Sequence, residues 1–447
     1  MKKFFQTLKN IWSIQELRDK ILFTLLMILI YRLGSHIALP GISTPQKLFA
    51  DSNNDQGILG LIDAFSGGAF NQASIFALGI MPYISASIFM QLVTVLVPRF
   101  QKMQKEGESG RKKINQYTRY LTVVVTLFQA SAYVTYLQTI MAGKGIGIVP
   151  GFAPYFWLTT LVVLTAGTLF VMWMGEKITD KGLGNGTSLI IMVGILARLP
   201  QSFLEELGIK SVRSGQILIF IIEMAVLIAI IMGCILLVQG VRKVPVNYAK
   251  QIVGNRQFGG ARQFLPIKVN SAGVMPIIFA QAIIFIPTIF ANYNPGSSQF
   301  LQAITDQSSI WYMLIYSVVV IAFTFLYTAL IFNPKQIADN LKQNNGFIPG
   351  VKPGQPTADY IGAIMDRITF PGAILLALVG VLPGIAELLG VAKGFSTFFG
   401  GTSLLIMVGV ILDTLQQIET QLLMRQYDGL MKSGRIQGRQ ASAPVDM

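Results

Sequence analysis

The sequence predicts an all-α polytopic membrane protein, with ten transmembrane helices in two inverted five-helix halves around a central pore. Three observations lead to this prediction. The chain is strongly apolar, with a mean hydropathy of +0.57 and 13% charged residues, whereas soluble domains carry roughly 25%. Its basic residues cluster in alternate connecting segments. A decapeptide, "GTSLIIMVGI" at 186–195, recurs as "GTSLLIMVGV" at 401–410 with eight identical positions.

Ten apolar stretches are long enough to cross a bilayer, which takes about 20 residues of α-helix. The ten predicted spans are 20–39, 74–97, 119–140, 153–175, 185–203, 215–239, 271–293, 310–332, 368–388 and 402–424.

The distribution of basic residues orients these spans. With the N-terminus in the cytosol, 28 of the 35 Lys and Arg residues lie in cytosolic segments. Six are counted as external, among them Lys210 and Arg198, the latter near the outer end of the fifth span, while Arg32 lies within the first span. Cytosolic loops of membrane proteins carry such an excess of Lys and Arg. The asymmetry therefore predicts that both termini are cytosolic. It also accounts for most of the net charge of +14 without a nucleic-acid partner.

The repeated decapeptide begins the fifth and the tenth span, which cross the membrane in opposite directions. Two halves of five spans each must have opposite orientations because five is odd, and this is the arrangement of inverted-repeat membrane proteins. In such folds equivalent segments face each other near the midplane. We therefore expect Ile191 and Ile406, at position six of the two copies, to meet at the centre. The alternative is two similar but unrelated helices that face lipid.

The chain then divides into four parts. These are an N-terminal interfacial helix at 1–20, a first half at 21–205, a second half at 206–425 and a cytosolic tail at 426–447. Within the first half, the stretch "LIDAFSGGAFNQA" at 61–73 is too short to cross a bilayer and contains two adjacent glycines. It predicts a broken helix that lines a protected cavity, the alternative being an ordinary external loop. Pro82, in the second span, is expected to kink that helix.

Two cytosolic loops are longer than anchoring requires. In 240–270, Val244–Tyr248 and 264–269 look like strands around a Gly-rich basic tip, which predicts a protruding hairpin. In 333–367, the run "PGVKPG" predicts a rigid, non-helical turn. We expect both loops to dock cytosolic partners. The alternative is that their basic residues only anchor the chain on the positive-inside pattern.

Composition argues against several classes of function. The single cysteine, Cys234, and the single histidine, His36, leave no disulfide framework, no zinc-type cysteine pairs and no histidine-based catalysis. The chain has no GxxxxGK[ST] phosphate-binding loop, so it should not hydrolyse ATP. We expect no enzyme activity and no cofactor.

The predicted membrane interior contains few ionisable residues, among which are Arg32, Glu223, Asp413 and Glu419. Pumps and ion-coupled transporters need such groups inside the bundle. A centre of aliphatic side chains instead forms a constriction that excludes ions and water, and it can yield to an extended polypeptide. Two alternatives remain open at this point, an inverted-repeat secondary transporter of a small solute and a membrane scaffold without transport.

Longer motifs add a resemblance that covers essentially the whole chain. "FSGGAFNQASIFALGIMPYISASI", "EGESGRKKINQYTRY", "GEKITDKGLGNGTSLII", "LPIKVNSAGVMPIIFA" and "FIPGVKPGQPTADYI" resemble the SecY family of protein-conducting channels. The resemblance implies two five-helix halves around an hourglass pore. It implies that unfolded secretory polypeptides pass through this pore, and that membrane-protein helices leave sideways into the bilayer.

The resemblance also implies roles for particular residues. The pore ring is carried over to Ile80, Ile84, Thr187, Ile191, Ile278 and Ile406. The plug is carried over to 61–73, including Leu61, Asp63, Phe65, Ser66, Gly67 and Gly68. A lateral gate between the second or third and the seventh or eighth spans would include Ser87, Gln91 and Asn185. Docking of the ribosome or the motor would use Lys250, Arg256, Arg262 and Lys352.

Two of these positions depart from the family pattern. Thr187 stands where an aliphatic residue is common, and its hydroxyl would either loosen the seal or bond to its own helix backbone. Lys352 stands where Arg is usual; it keeps the charge but loses the planar fork that allows bidentate contacts.

The resemblance implies partners and a location as well. The partners would be the SecE and SecG subunits, the SecA motor ATPase, the ribosome, signal sequences, nascent or unfolded polypeptides and membrane lipids. The location would be the bacterial cytoplasmic membrane.

Overall fold

The computed structural model describes residues 14–42, 65–144, 153–212, 216–248, 262–281 and 309–432, together with Trp12, Asp63, 147–149, Gly151, Gln251–Val253, Arg256–Phe258 and Ile284. Predictions for most of 1–13, for Leu61, for Lys250 and for 433–447 lie outside the described residues.

Helices dominate the structure. In chain order they are α1 (Gln15–Ser35), α2 (Met81–Leu96), α3 (Pro98–Lys105), α4 (Glu108–Lys144), α5 (Ala153–Lys181), α6 (Gly186–Val212), α7 (Gln216–Gln239), α8 (275–281), α9 (Ile310–Ile331), α10 (Pro334–Gln343), α11 (Gln355–Leu388), α12 (Lys393–Ser396) and α13 (Gly401–Lys432).

Each of the ten predicted spans coincides with a helix or with part of one. Among the described residues seven helices are long and apolar enough to cross a membrane, and α2 with α3 makes an eighth, bent by 100°. The bend falls at Val97, which is extended because the following residue, Pro98, disfavours helical geometry in its neighbour. α1 matches the first span, and α8 covers part of the seventh. The fold class is therefore that of the ten-helix prediction.

The second span begins later than predicted. Residues 67–80 form a series of turns, and regular helix starts only at Met81. Pro82 lies in the first turn of α2, where a proline is tolerated because the first backbone N–H groups of a helix have no partner anyway. The prediction that Pro82 kinks the helix was therefore wrong: it helps to begin the helix.

The two halves meet along α6 and α13, the helices that carry the repeated decapeptide. A central cluster of buried apolar side chains draws on both of them. A second cluster fills the first half between α4, α5 and the turns before α2, and a third fills the second half among α7, α8, α9, α11 and α13. Many large apolar side chains on the outer faces stay exposed, such as Leu218 and Leu236 of α7, as expected of helices covered by lipid.

A small sheet lies outside the spans. β1 (Val241–Tyr248) pairs with β4 (Arg262–Lys268) in antiparallel register, and the short strands β2 (Gln251–Val253) and β3 (Arg256–Phe258) form a second hairpin between them. The prediction of a hairpin in 240–270 is confirmed. The hairpin is longer than predicted, because the short strands β2 and β3 extend it beyond β1 and β4.

The second long loop, 333–367, joins this sheet. β5 (Gly346–Phe347) pairs with the end of β1. Gly350 and Gly354 have φ values of +86° and +104°, a region that favours glycine, so the rigid turn is confirmed. Most of 333–367 is nevertheless helical, since α10 fills its start and α11 begins at Gln355, well before the predicted span. The loops 240–270 and 333–367 therefore form one unit, called the platform below.

Candidate functional site

Aliphatic side chains from three separate elements meet at the centre of the molecule. Ile80 precedes α2, Ile191 lies on α6 and Ile406 lies on α13. All three are at least nine-tenths buried and belong to the central cluster, against which Ile84 packs. Ile278 on α8 is half-buried, and the described contacts do not place it in this cluster. The structure thus brings together four of the five isoleucines predicted to form a ring.

Thr187 faces the same centre through its methyl group. A Cβ on Gly175 would lie 3.1 Å from the Thr187 Cγ2 and 3.5 Å from the Ile80 Cδ1, so these two side chains flank one glycine. The Thr187 hydroxyl donates to Oδ1 of Asn185 at 2.6 Å, and the same oxygen accepts from the Thr187 backbone N–H at 3.1 Å. Asn185 therefore caps the first turn of α6. The hydroxyl bonds to this cap, not to its own helix backbone, and the methyl remains available to the seal.

The segment predicted to be a plug is buried against the rest of the first half. The Asp63 side chain is fully buried, and its Oδ2 lies 2.7 Å from Nη2 of Arg198 on α6. Its Oδ1 accepts a hydrogen bond of 2.9 Å from the Asn71 backbone. Phe65 belongs to the central cluster together with Ile191. An ordinary external loop would not be buried in this way, so that alternative fails.

Hydrogen bonds from two helices hold the backbone of this segment. The hydroxyl of Tyr31 donates to the Ser66 carbonyl at 3.2 Å, and Nη1 of Arg32 donates to the Gly67 carbonyl at 3.1 Å. From α4, the hydroxyl of Tyr133 donates to the Phe70 carbonyl at 2.7 Å. Residues 67–73 form turns and not a continuous helix, so donors outside the segment satisfy backbone carbonyls in this part of it.

Two glycines allow the segment to approach α6 closely. Gly67 and Gly68 both have positive φ, at +68° and +89°. A Cβ on Gly67 would lie 2.8 Å from the Gly194 Cα, and a Cβ on Gly194 would lie 2.6 Å from the Phe65 carbonyl oxygen. Real Cβ atoms essentially never come so near. Backbone therefore packs directly on backbone at this point.

A hydrogen bond joins the two sides of the predicted lateral gate. The hydroxyl of Tyr327, on α9, donates to Oε1 of Gln91, on α2, at 2.8 Å. Ser87 lies one turn before Gln91 and is half-buried. Phe279 of α8 stacks on Phe323 of α9, with ring centroids 5.6 Å apart. The second and eighth spans are thus in direct contact. The side chain of Asn185, the third residue predicted for the gate, instead caps α6.

A cavity of about 810 Å³ opens on the opposite side of the aliphatic cluster from the segment 61–73. It lies between the start of α1, the segment before α6 and the last part of α13. Most of its lining residues are of polar type, and they include Lys20, Asn185, Asp413, Gln416, Gln417, Thr420 and Gln421. Along α6, the cavity therefore lies at the level of Asn185, the aliphatic cluster at the level of Ile191, and the segment 61–73 at the level of Arg198. At 1.5 Å per residue, roughly 10 Å separates each level from the next.

Sequence reasoning missed several of these contacts. It counted Arg198 and Lys210 as external charges and did not single out Tyr31, Tyr133 or Tyr327. Lys210 is in fact buried, with its Nζ 2.9 Å from Oε1 of Glu223 and 3.5 Å from Oε1 of Glu206. This buried ion cluster joins the end of α6 to α7. In the sequence, the only sign of these ion contacts was a charged residue inside a predicted span. Such a residue does not show which other residue it pairs with.

The predicted docking residues lie on the platform. Lys352 is exposed in the turn before α11, and its carbonyl accepts from the Thr357 hydroxyl at 2.8 Å. Arg256 begins β3 and Arg262 begins β4. Through the pairing of β1 with β5, the structure brings the two loops that carry them into one unit.

The centre of the molecule is thus a cluster of aliphatic side chains at the contact of the two halves, with a cavity on one side and the buried segment 61–73 on the other. Apolar helices around an aliphatic constriction are the arrangement of a channel in the membrane. Comparisons with known proteins agree with this class. The SecY family profile matches residues 74–415. "Protein translocase subunit SecY" of Corynebacterium glutamicum is 44% identical, over 93% of this chain and 98% of its own. The protein of the same name from Mycobacterium tuberculosis is 41% identical, over 97% and 100%.

Solved structures have the same fold at low sequence identity. "The structure of a protein conducting channel" aligns with a TM-score of 0.61 at 17% identity, covering 93% of this chain and 94% of that one. Sec61 in the canine ribosome–channel complex aligns with a TM-score of 0.56 at 15% identity, with the same coverage. The chain belongs to the SecY family of protein-translocation channels. Members of this family are channels and not enzymes, and the secondary-transporter alternative is not supported.

Proposed function

We propose that this chain is the pore-forming subunit of a Sec translocon. It conducts unfolded secretory polypeptides across the bacterial cytoplasmic membrane and releases membrane-protein helices sideways. The observation that carries the proposal is the aliphatic seal at the contact of the two halves, covered on one side by a buried plug. Aliphatic side chains exclude ions and water from a narrow closed pore, yet they offer no fixed polar site that would restrict which sequence can pass.

In the proposed mechanism a signal sequence opens the channel by binding one of two states. Being an apolar helix, it enters between α2 and α9 and replaces their contact, which favours the parted state. The plug then leaves, and the chain passes between Ile80, Ile191 and Ile406. Energy comes from ribosomal synthesis or from ATP hydrolysis by the motor.

The proposed complex contains SecE and SecG as small subunits, with SecA or the ribosome bound to the cytosolic platform. Both termini of this chain are cytosolic, a proposal that rests on the distribution of its Lys and Arg residues. The sheet that joins the two basic loops supports a docking role, because a shared, ordered surface binds a partner with less ordering cost than two separate loops.

A cross-linking experiment tests the proposal. Cys234, which is buried, is replaced by alanine, and a single cysteine is placed at Ile191 or Ile406. A secretory precursor with one cysteine is arrested in mid-passage. We expect a disulfide between precursor and seal that requires a functional signal sequence. Cross-links that form only with lipid-facing positions such as Leu218 would rule out a pore between the halves.

Charge reversal at Lys352 is expected to weaken binding of the ribosome or the motor. A charge-assisted contact contributes about 1.5–3 kcal/mol, so Lys352→Glu should lower affinity by roughly one to two orders of magnitude. The loss should shrink as salt rises, because screening weakens the wild-type contact too. The matched control is Lys181→Glu, an exposed lysine in a different cytosolic segment. Equal binding by both variants would leave Lys352 with an anchoring role only.

Removing the hydroxyl of Tyr327 is expected to favour the open gate. A neutral hydrogen bond contributes about 1 kcal/mol, so Tyr327→Phe should raise the open population about fivefold. More precursor with a defective signal sequence should then be transported. Tyr120→Phe, at an exposed tyrosine of α4, should have no effect.

A double-mutant cycle with Gln91→Ala separates the hydrogen bond from other effects of these side chains. Because both changes remove the same bond, the double variant should transport little more than either single variant. Additive effects would mean that the bond does not hold the gate.

A further inference from the structure

The plug and α6 are joined by an ion pair whose two members have very different exposure. The Asp63 side chain is completely buried, whereas the Arg198 side chain is about 35% exposed. A buried carboxylate that loses its partner is strongly unfavourable, while an arginine near water is much less so. The pair is therefore asymmetric: Asp63 depends on Arg198 more than Arg198 depends on Asp63.

The pair also lies close to the seal. Arg198 follows Ile191 by seven residues, which is two helical turns, so both side chains lie on the same face of α6. Phe65, two residues after Asp63, packs in the same cluster as Ile191. A second guanidinium, that of Arg32, holds the next turn of the plug through the Gly67 carbonyl. When the plug is seated, the carboxylate is met by Arg198 and by the Asn71 amide.

We propose that Arg198 is a positioning residue of the channel, which holds the plug over the seal through its ion pair with Asp63. This proposal rests on the proposed function and adds a device that regulates it. The plug can leave only if the pair separates, so the pair favours the closed state. The opening signal must therefore supply enough binding free energy to separate these two charges as well as the gate helices.

We call the ion pair of Asp63 with Arg198 the latch. Its asymmetry predicts an order of variant effects that simple packing would not produce. Arg198→Gln leaves a buried, unpaired carboxylate and should displace the plug most. Asp63→Asn leaves only a partly exposed arginine and should displace it less. The double variant Asp63→Asn/Arg198→Gln removes both charges and allows an amide–amide hydrogen bond, so it should be closer to the wild type than Arg198→Gln alone. Arg198→Lys keeps the charge and should also restore closure in large part.

The test measures the ion conductance of the intact complex in planar bilayers, at rest and after addition of a signal peptide. We expect Arg198→Gln to raise the resting conductance by roughly tenfold or more, since removing one partner of a buried pair is strongly unfavourable. The matched control is Asp180→Asn, which makes the same carboxylate-to-amide change as Asp63→Asn at an exposed position of α5, and it should leave the resting conductance unchanged.

Opening by the signal peptide shows that a variant has folded and assembled. A wild-type complex that the signal peptide does not open would contradict the proposed function itself. The latch alone is overturned if the wild type opens normally while Arg198→Gln stays closed at rest, or if the double variant leaks more than Arg198→Gln. Should Arg198→Gln fail to assemble, the comparison of Asp63→Asn with Asp180→Asn decides: equal resting conductance of these two variants overturns the latch.

Discussion

Replacing Ile191 and Ile406 together by serine is expected to make the resting channel leak ions. These two side chains come from the two halves and share the central cluster with Ile80. Serine is shorter and carries a hydroxyl, so it both widens the seal and makes it easier to wet. We expect a clear increase in resting conductance in planar bilayers, larger for the double variant than for either single variant.

Two controls separate a seal from an ordinary core. Leu196→Ser on α6 and Ile411→Ser on α13 make similar changes on the same helices at exposed positions and should not leak. In an ordinary core, shortening a buried isoleucine costs about 2–5 kcal/mol of stability without opening a path for ions. Lower thermal stability with unchanged conductance would therefore place Ile191 and Ile406 in a packed core and not in a pore.

The sequence predicted features that depend on local pattern or on symmetry. Span positions follow from apolar length. The encounter of Ile191 with Ile406 follows from the repeat, because equivalent positions of inverted halves face each other. The hairpin in 240–270 follows from strand-like runs around a Gly-rich tip. Each of these inferences needs only residues that are close in sequence or related by the repeat.

The contacts that hold the gate and the plug could not be predicted in this way. Gln91 and Tyr327 are 236 residues apart in the chain, and no periodicity links them. Arg198 looked like a charge at the edge of a span, and only the fold shows that Asp63 lies beside it. The hydrogen bonds from tyrosine hydroxyls to carbonyls of the segment 61–73 could not be predicted either, because every residue has a backbone carbonyl and its identity does not reveal such a bond.

The errors have a common physical origin. Pro82 was expected to kink a helix that in fact begins beside it, and 333–367 was expected to be a loop although α10 and α11 occupy much of it. In both cases the expectation took the apolar run as the limit of the helix. The first backbone N–H groups of a helix have no partner within it, so a proline such as Pro82 fits at its start. A helix can also extend beyond an apolar run into water when its polar residues favour helix.

The second large effect is expected at Gly194, on the face of α6 that meets the plug. A Cβ there would lie 2.6 Å from the Phe65 carbonyl oxygen and 3.3 Å from the Gly67 backbone nitrogen. Both are backbone atoms of the plug, which cannot rotate away as a side chain would. Gly194→Ala should therefore push the plug out of its seat and raise the resting conductance.

The repeat supplies a matched control for this substitution. Gly409 occupies position nine of the second decapeptide, as Gly194 does in the first, and a Cβ on Gly409 would meet no atom within 4 Å. Alanine is the better helix former by up to about 1 kcal/mol, so Gly409→Ala should leave the channel closed and slightly more stable. The same change at equivalent positions thus has opposite expected consequences, because among the described residues the segment 61–73 packs on Gly194 and no atom lies against Gly409. If both variants stayed closed, with equal gains in thermal stability, the plug would not rest on α6 as described here. A leak in both would instead mean that the two glycines serve a contact between the halves and not the seat of the plug.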